Sequence, residues 1–332
     1  VAADNPFSIC AAAKRREGLT DEEEERCILE LKKKLGLHAE ALPCDPFDPS
    51  HEILEYISAP FSVYGGKRYL ASKIAPLVPR MKRYVEAFAG AAAVLFAREP
   101  SGAEEILTDI DPEKVHCMLY LKGFSEQDRR KLAAMDWAPS KELFKRLKTA
   151  RFSDPTERFY RYMYTRWNSF GSRGDSWSVN SAAASWQNYI GKRMMRYRER
   201  LKDVKVYLMD WKVALKKFDS PDTFFYLDPP YIGTANKQAA HFKEPSAQEL
   251  GSALKAVKGK WILSNHDVPE LRAALHGFQI MRVSVPTQVD QMHASSKRAR
   301  PEILASNFPL SQRGVMAASE ETCSMCGTVH DA

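Results

Sequence analysis

The chain has 332 residues, 44% of them hydrophobic and 27% charged, with a formal net charge of +7. That is enough apolar material for one large or two smaller cored domains, and it excludes a disordered composition. No apolar run reaches the roughly 18–20 residues of a membrane span, and "VAADNPFSIC" lacks the basic-then-apolar order of a signal peptide, so a soluble, cytoplasmic protein without membrane contact is expected.

Residues 1–58 read as an appendage. "LTDEEEERCILELKKKLG" starts a helix at Thr20, with Glu23 completing a capping box. Acids fill its first turn and lysines its last, which suits the helix dipole, and Gly36 can close it. "LPCDPFDPS" places three prolines in nine residues and reads as a linker.

From residue 59 strands and helices alternate. "RYVEAFAG" is a short apolar strand running into a small-residue turn, and "AAAVLFARE" is helical. "EEILTDID" is a second strand ending in acids. "PEKVHCMLYLKG" is a helix with Pro112 in its first turn. The strands "VKVYLMD", "FFYLDPP", "WILSNH", "FQIMRVSV" and "PEILASNF" follow later. Continuous apolar strands between helices indicate an α/β sheet covered on both faces. We divide the chain into a catalytic domain of 59–122 and 203–310, an insert of 123–202, and a polar, flexible tail of 311–332.

The insert carries the charge. Residues 141–202 hold fifteen Lys and Arg against five Asp and Glu, a local +10 beside +7 for the whole chain. Aromatic residues are dense there, including Tyr160, Tyr162, Tyr164, Trp167, Trp177 and Tyr189. Basic charge interleaved with flat rings suits a polyanion whose bases can stack. The plainer alternative is a solvated basic face over an aromatic core.

Of six cysteines, Cys10, Cys27, Cys44, Cys323 and Cys326 lie toward the ends and Cys117 lies inside. Six in a chain of this length do not make a disulfide scaffold. "CSMCGTVH" has one CxxC and His330, half of a zinc knuckle. Four ligands would require a cysteine from the N-terminal segment. Two free thiols are the expectation, and no metal is assigned.

The chemistry gathers at strand ends, where open α/β sheets bind ligands. Glu86, Asp109, Asp210 and Asp228 all fall there. Gly90 in "EAFAGAAA" lets a ligand approach the backbone at a helix start. The full GxGxxG of a dinucleotide site is absent. Asp109, 19 residues after Gly90, can hold the two hydroxyls of a ribose, so an adenosine-containing cofactor is expected. "FFYLDPPY" ends a buried strand at Asp228. Pro229 and Pro230 stiffen the turn and keep carbonyls free to accept. Asp228 and the Pro229 carbonyl can accept both hydrogens of one exocyclic amine, while Tyr231 stacks on its ring. Such a clamp orients a nitrogen toward an electrophile.

Four blocks in this order resemble the Dam-like (DPPY, class alpha) DNA adenine-N6 methyltransferase family, of phage or prophage type: "VYGGKRYLASKIAPLVP", "YVEAFAGAAAV", "YLDPPY" and "KRARPEILASNF". The resemblance spans roughly residues 60–308. It implies a Rossmann-like methyltransferase sheet with an inserted, mostly helical target-recognition domain. It also implies S-adenosylmethionine as cofactor, double-stranded DNA as partner, an adenine flipped out for methylation, and a cognate restriction endonuclease as a possible companion.

By that resemblance, Tyr64 and Lys67 border the methionine end of the cofactor, and Lys67 also the active site. Glu86, Phe88 and Gly90 line its methionine and ribose. Asp109 binds the ribose hydroxyls, Asp210 takes the adenine amine, and Asp228, Pro229 and Tyr231 hold the target base. The second glycine of the family's FxGxG is Ala92, whose Cβ is expected to narrow the cofactor pocket. "RWNSFGSRGDSWS" resembles the family's DNA-contacting hairpin. Arg166, Asn168, Phe170 and Arg173 are candidates there, with Gly171 and Gly174 allowing a tight loop. Arg193, Arg196 and Arg198 are candidates for phosphate contact. Two alternatives stand beside this reading. One is a related enzyme acting on the cytosine 4-amino group or on adenine in RNA. The other is a catalytically silent DNA-binding protein on the same scaffold.

Overall fold

The computed structural model describes residues 57–61, 67, 70–169, 172–178, 186, 189–232, 245–285 and 300–310. The helix expected from Thr20, the proline-rich linker, Tyr64, Phe170, Gly171 and the CxxC tail lie outside them. The described residues fall within one compact unit, Tyr56–Ala318.

All seven expected strands form one sheet. They are β1 (Arg83–Glu86), β2 (Glu104–Asp109), β3 (Lys205–Leu208), β4 (Thr223–Leu227), β5 (Lys260–His266), β6 (Gln279–Val285) and β7 (Arg300–Ser306). Their order is β3-β2-β1-β4-β5-β7-β6. The pairs from β3 to β5 are parallel, and β7 lies antiparallel between β5 and β6. This is a Rossmann-like α/β sheet in which the strand order turns back between β1 and β4. Ligands of such sheets sit at that switch, outside the carboxyl ends of the strands. Glu86 ends β1 and Asp228 follows β4, so both acids mark that point.

Side-chain alternation explains the two-sided burial. Tyr84, Phe224, Tyr226, Ile262 and Leu304 point into one apolar cluster. Their neighbours Val85, Phe225, Leu227, Trp261, Leu263 and Ile303 point into the other. Helices α1 (Ala71–Ile74) and α2 (Ala93–Phe96) flank β1 in sequence. The chain between β2 and β3 is mostly helical, as expected: α3 (Pro112–Lys122), α4 (Glu126–Ala133), α5 (Lys141–Thr149), α6 (Pro155–Trp167), a π turn (Tyr189–Arg193) and α7 (Met194–Leu201). Helices α8 (Trp211–Phe218), α9 (Ala247–Ala256) and α10 (Pro269–Ala274) complete the fold. Local chemistry sets several of these starts. Ser125 and Asp128 form a capping box for α4. Asp154 caps α6 by accepting from the amides of Thr156 and Glu157, with Pro155 in the first turn.

The described aromatics of the basic segment are buried in or packed against the core rather than set out as stacking platforms for bases. Phe159, Tyr160, Tyr162, Tyr164, Tyr189 and Tyr197 are buried. Trp137 meets Tyr160 edge-on at 4.8 Å and stacks with Trp186 at 5.8 Å. On α6 the rings recur on the inward face, and burial of large aromatic area outweighs exposure. The basic residues divide. Arg200 of α7 is buried and pairs with both oxygens of Glu105 on β2, at 2.5 and 2.9 Å, while also donating to the Leu95 carbonyl at 3.1 Å. Arg158 and Arg161 both pair with Glu113. Lys192, Arg193 and Arg198 are exposed.

Candidate active site

The turn after β1 folds onto the acid at the end of β2. Gly90 takes φ 54°, in the left-handed region. Its amide donates to Asp109 Oδ2 at 2.8 Å, and the Asp111 amide donates to Oδ1 at 2.9 Å. Each carboxylate oxygen has more than one acceptor direction, so both remain able to take a hydroxyl. Beside Asp109, Ile110 is 40% and Leu208 58% exposed. Leu208 is the register partner of Asp109 on β3. Asp210 caps α8 through its own Oδ1, which accepts from the Lys212 amide at 2.8 Å. Phe88 stacks with Trp211 at 5.6 Å, joining the β1 turn to α8. Paired hydroxyl acceptors, an exposed apolar edge and a second carboxylate at the ends of β2 and β3 fit an adenosine-containing cofactor.

Glu86 and Ala92 both serve the start of α2. Glu86 is buried, and its Oε1 accepts from the Leu95 amide at 2.6 Å and the Tyr84 hydroxyl at 2.8 Å. Desolvation raises this carboxyl to about 7, against the pull of those hydrogen bonds and of Arg98. Ala92 is fully buried in the apolar cluster at φ 53°. The expectation that its Cβ narrows a cofactor pocket is therefore corrected. The methyl packs into the core, and the cost of alanine here is a left-handed backbone, about 1–2 kcal/mol.

At the switch point, Lys67 is sealed among three oxygens. Its Nζ lies 2.8 Å from Asp228 Oδ1, 2.9 Å from the Tyr231 hydroxyl and 3.5 Å from Glu302 Oε2. Burial alone would lower the ammonium, but Asp228, Tyr231 and Glu302 outweigh it and hold it well above its ordinary value. Asp228 is raised by burial, with Lys67 opposing. Ser264 Oγ also donates to Asp228 Oδ1, at 3.1 Å, and itself pairs with the Tyr226 hydroxyl at 2.8 Å. Thus Oδ1 is fixed twice, whereas Oδ2 has no partner among the described residues. The side chain is 19% exposed. A carboxylate held by one oxygen, with the other able to accept, is a preorganised receptor for an N–H donor.

Three residues here were not singled out by sequence. Asn265 on β5 is fully buried, and its Nδ2 donates to the carbonyls of Pro229 and Pro230 at 3.3 and 3.4 Å. Its Oδ1 accepts from the Ile232 amide at 3.1 Å. The proline carbonyls, which the sequence reading held to be free, are thus already engaged. The turn's rigidity comes from this clasp as well as from the rings, and Pro229 keeps one lone pair for a further donor. His266 stacks on the Tyr231 ring at 3.8 Å, so one face of that ring is already covered. Glu302 on β7 accepts from the Tyr231 hydroxyl at 2.8 Å. The only signal these three offered was a polar side chain at the carboxyl end of β5 or inside β7, where apolar residues dominate.

The candidate DNA residues fare unevenly. Asn168 is 1% exposed and ends α6, its Nδ2 donating to the Tyr164 carbonyl at 3.0 Å. Its proposed base contact is corrected, because the side chain serves the helix terminus. Arg166 lies 4.6 Å over the Tyr162 ring and donates to the Ser172 carbonyl at 3.0 Å, bracing the loop. That loop is closed by a bridge between Ser169 and Trp177, with Gly174 at φ 75°. Arg173 and Arg196 are half-buried, and Arg193 and Arg198 are exposed.

The family model for the D12 class N6 adenine-specific DNA methyltransferases matches residues 64–289. No curated protein matches the chain. Two solved structures are similar in part. One is the precorrin-6y C5,15-methyltransferase of Geobacter metallireducens, 9% identical, covering 77% of this chain and 94% of its own, with a TM-score of 0.34. The other is a proposed RNA methyltransferase of Pyrococcus horikoshii, 11% identical, covering 73% and 81%, with a TM-score of 0.30.

Proposed function

The chain belongs to the D12 class N6 adenine-specific DNA methyltransferase family, and on that premise we propose that its methyl donor is S-adenosylmethionine and its target an adenine turned out of duplex DNA. The bound donor supplies an electrophilic methyl on a sulfonium centre. Asp109 takes the ribose hydroxyls with Gly90 close to them, and Asp210 takes the adenine amine. Ile110 and Leu208 would offer their exposed apolar edge to its base. Glu86, Phe88 and Lys67 would border the methionine end, the role the family resemblance also implies for Tyr64.

The target amine is shielded inside a duplex, so the base must leave the stack to react. Asp228 Oδ2 accepts one amine hydrogen, and the Pro229 carbonyl accepts the other. Tyr231 borders the base beside Asp228. These contacts orient the nitrogen lone pair for in-line attack, and no strong general base is assigned. The methylated nitrogen would release its extra proton to solvent, with Asp228 accepting its hydrogen bond meanwhile. The exposed arginines of the insert, Arg193 and Arg198, meet phosphates, and the loop braced by Arg166 and carrying Arg173 approaches the bases. A DNA substrate makes the bacterial cytoplasm the place of action.

The observation that carries this reading is the asymmetry of Asp228: one oxygen is tied to Lys67 and Ser264, and the other has no partner among the described residues. Tritium transfer from labelled S-adenosylmethionine to unmethylated genomic DNA tests it. Asp228→Ala should abolish incorporation while DNA binding stays near that of the parent; the variant should fold, with a lower unfolding midpoint because buried Lys67 loses a partner. Undiminished incorporation would refute the assignment.

A further inference from the structure

Glu302 carries no assigned role, yet it completes the buried cluster around Asp228. It stands on β7 and is 4% exposed. Its two oxygens differ. Oε1 accepts from the Tyr231 hydroxyl at 2.8 Å. Oε2 is buried without a hydrogen bond, 3.5 Å from Lys67 Nζ. An ammonium has three N–H donors. Lys67 directs one to Asp228 and one to Tyr231, leaving the third for which Glu302 Oε2 is the nearest described acceptor.

The cluster therefore holds one cation between two carboxylates. A buried carboxylate oxygen short of a donor is unfavourable for the fold alone, and an apolar residue on β7 would avoid that cost. Lys67 holds Asp228 Oδ1, while the target amine uses Oδ2. A second carboxylate beside the lysine anchors the ammonium in place, so that Oδ2 stays available to the substrate.

We infer that Glu302 is a positioning residue for methyl transfer, holding the Tyr231 hydroxyl with one oxygen and anchoring the Lys67 ammonium with the other, so that Lys67 stays on Asp228 Oδ1 and Oδ2 is left to the target amine. This rests on the reading of Asp228 given above. The ionisable groups around Asp228 are Lys67 before α1, Glu302 on β7, Tyr231 in the turn, Tyr226 on β4 and Glu86 on β1. Of these, Glu302 is a like charge that disfavours ionised Asp228.

The test is the pH dependence of single-turnover methyl transfer to unmethylated genomic DNA, in the full chain carrying Glu302→Gln, Tyr231→Phe or Asp228→Ala. Glutamine keeps the shape and removes the charge. It should lower the transfer rate, by up to about 100-fold. It should also move the acid limb of the profile to lower pH, because Asp228 loses its like-charged neighbour. Tyr231→Phe removes the hydrogen bond to Glu302 without changing charge. It should slow transfer and leave the acid limb in place. Thermal unfolding of each variant separates a folded but slow enzyme from a misfolded one, and Glu302→Asp should restore the parent limb if glutamine proves unstable. A Glu302→Gln profile that keeps its shape and position would overturn the inference while leaving Asp228 in its role. Undiminished turnover in Asp228→Ala would overturn the site reading itself, and Glu302 with it.

Discussion

The side-chain amide of Asn265 reaches the carbonyl of Pro229, 3.3 Å away and 36 positions earlier in the chain. The same amide touches the Pro230 carbonyl and accepts from the Ile232 amide, so one residue of β5 clasps three backbone polar groups of the turn beyond β4. Asn265→Ala would strand those groups. We expect a loss of about 1–3 kcal/mol in denaturant unfolding and up to about 100-fold in transfer rate through misplacement of Asp228. DNA affinity, measured by titration, should hardly change. Asn265→Asp keeps the acceptor for Ile232 but turns a carboxylate toward two carbonyls, and should be no better than alanine.

Removing the cation of the cluster should be more damaging. Lys67→Met leaves Asp228 and Glu302 without their shared partner. Loss of one member of a buried ion pair costs about 3–5 kcal/mol. The sign with pH follows from the like charges left behind. Burial already raises Asp228, and without Lys67 opposing it this carboxyl binds a proton more readily in the folded state than in the unfolded one, so the deficit is greatest where Asp228 would be ionised. It should shrink as pH falls through the carboxylate range. Unfolding curves of parent and variant across that range check this, and a deficit independent of pH would contradict it.

Glu86 gives a second pH signature. Desolvation raises its carboxyl from 4.5 to about 7. Between those values the folded protein holds a proton that the unfolded chain has released. Stability contributed by this group is therefore present below about 4.5 and is lost as pH rises through about 7. The shift corresponds to about 3 kcal/mol. Glu86→Gln remains neutral throughout. The difference in unfolding free energy between variant and parent should grow in favour of glutamine from pH 5 to pH 8, whatever other groups titrate in both.

The parts of this site that could be read from sequence are those written within one short segment. The strand running to Asp228 and two prolines announces itself, because burial, a carboxylate and a stiff turn are adjacent. Gly90 and Asp109 follow from consecutive strand ends, and the hydrogen bond between them agrees with that spacing. Asn265 and Glu302 could not be read so. They sit on β5 and β7, and it is the insertion of β7 between β5 and β6 that pairs His266 with Glu302 in register. Nothing local in "WILSNH" or "PEILAS" records that order. The aromatics of the insert misled for a related reason. Composition counts rings but does not say which face of α6 they occupy, and the inward face took them.

Arg198 and Arg200, two positions apart on α7, should separate binding from folding. Arg198 is exposed, whereas Arg200 is locked to Glu105 and the Leu95 carbonyl. Each phosphate that a protein cation neutralises on duplex DNA adds about 0.9 to the steepness with which log affinity falls against log salt. Arg198→Ala should therefore weaken binding evenly across DNA sequences and flatten that slope by about one unit, with unfolding unchanged. Arg193→Ala should do the same, and the double variant should lose about two units if both meet phosphates. Arg200→Ala should instead leave buried Glu105 with Arg98 alone as cationic partner and cost up to about 3–5 kcal/mol. It should also loosen the docking of α7 on β2, read as faster limited proteolysis between residues 190 and 204. The fraction that remains folded should keep the parent's salt slope, since Arg200 does not reach solvent. A double Arg193→Ala, Arg198→Ala variant with an unaltered slope would remove this face of the insert from the DNA interface.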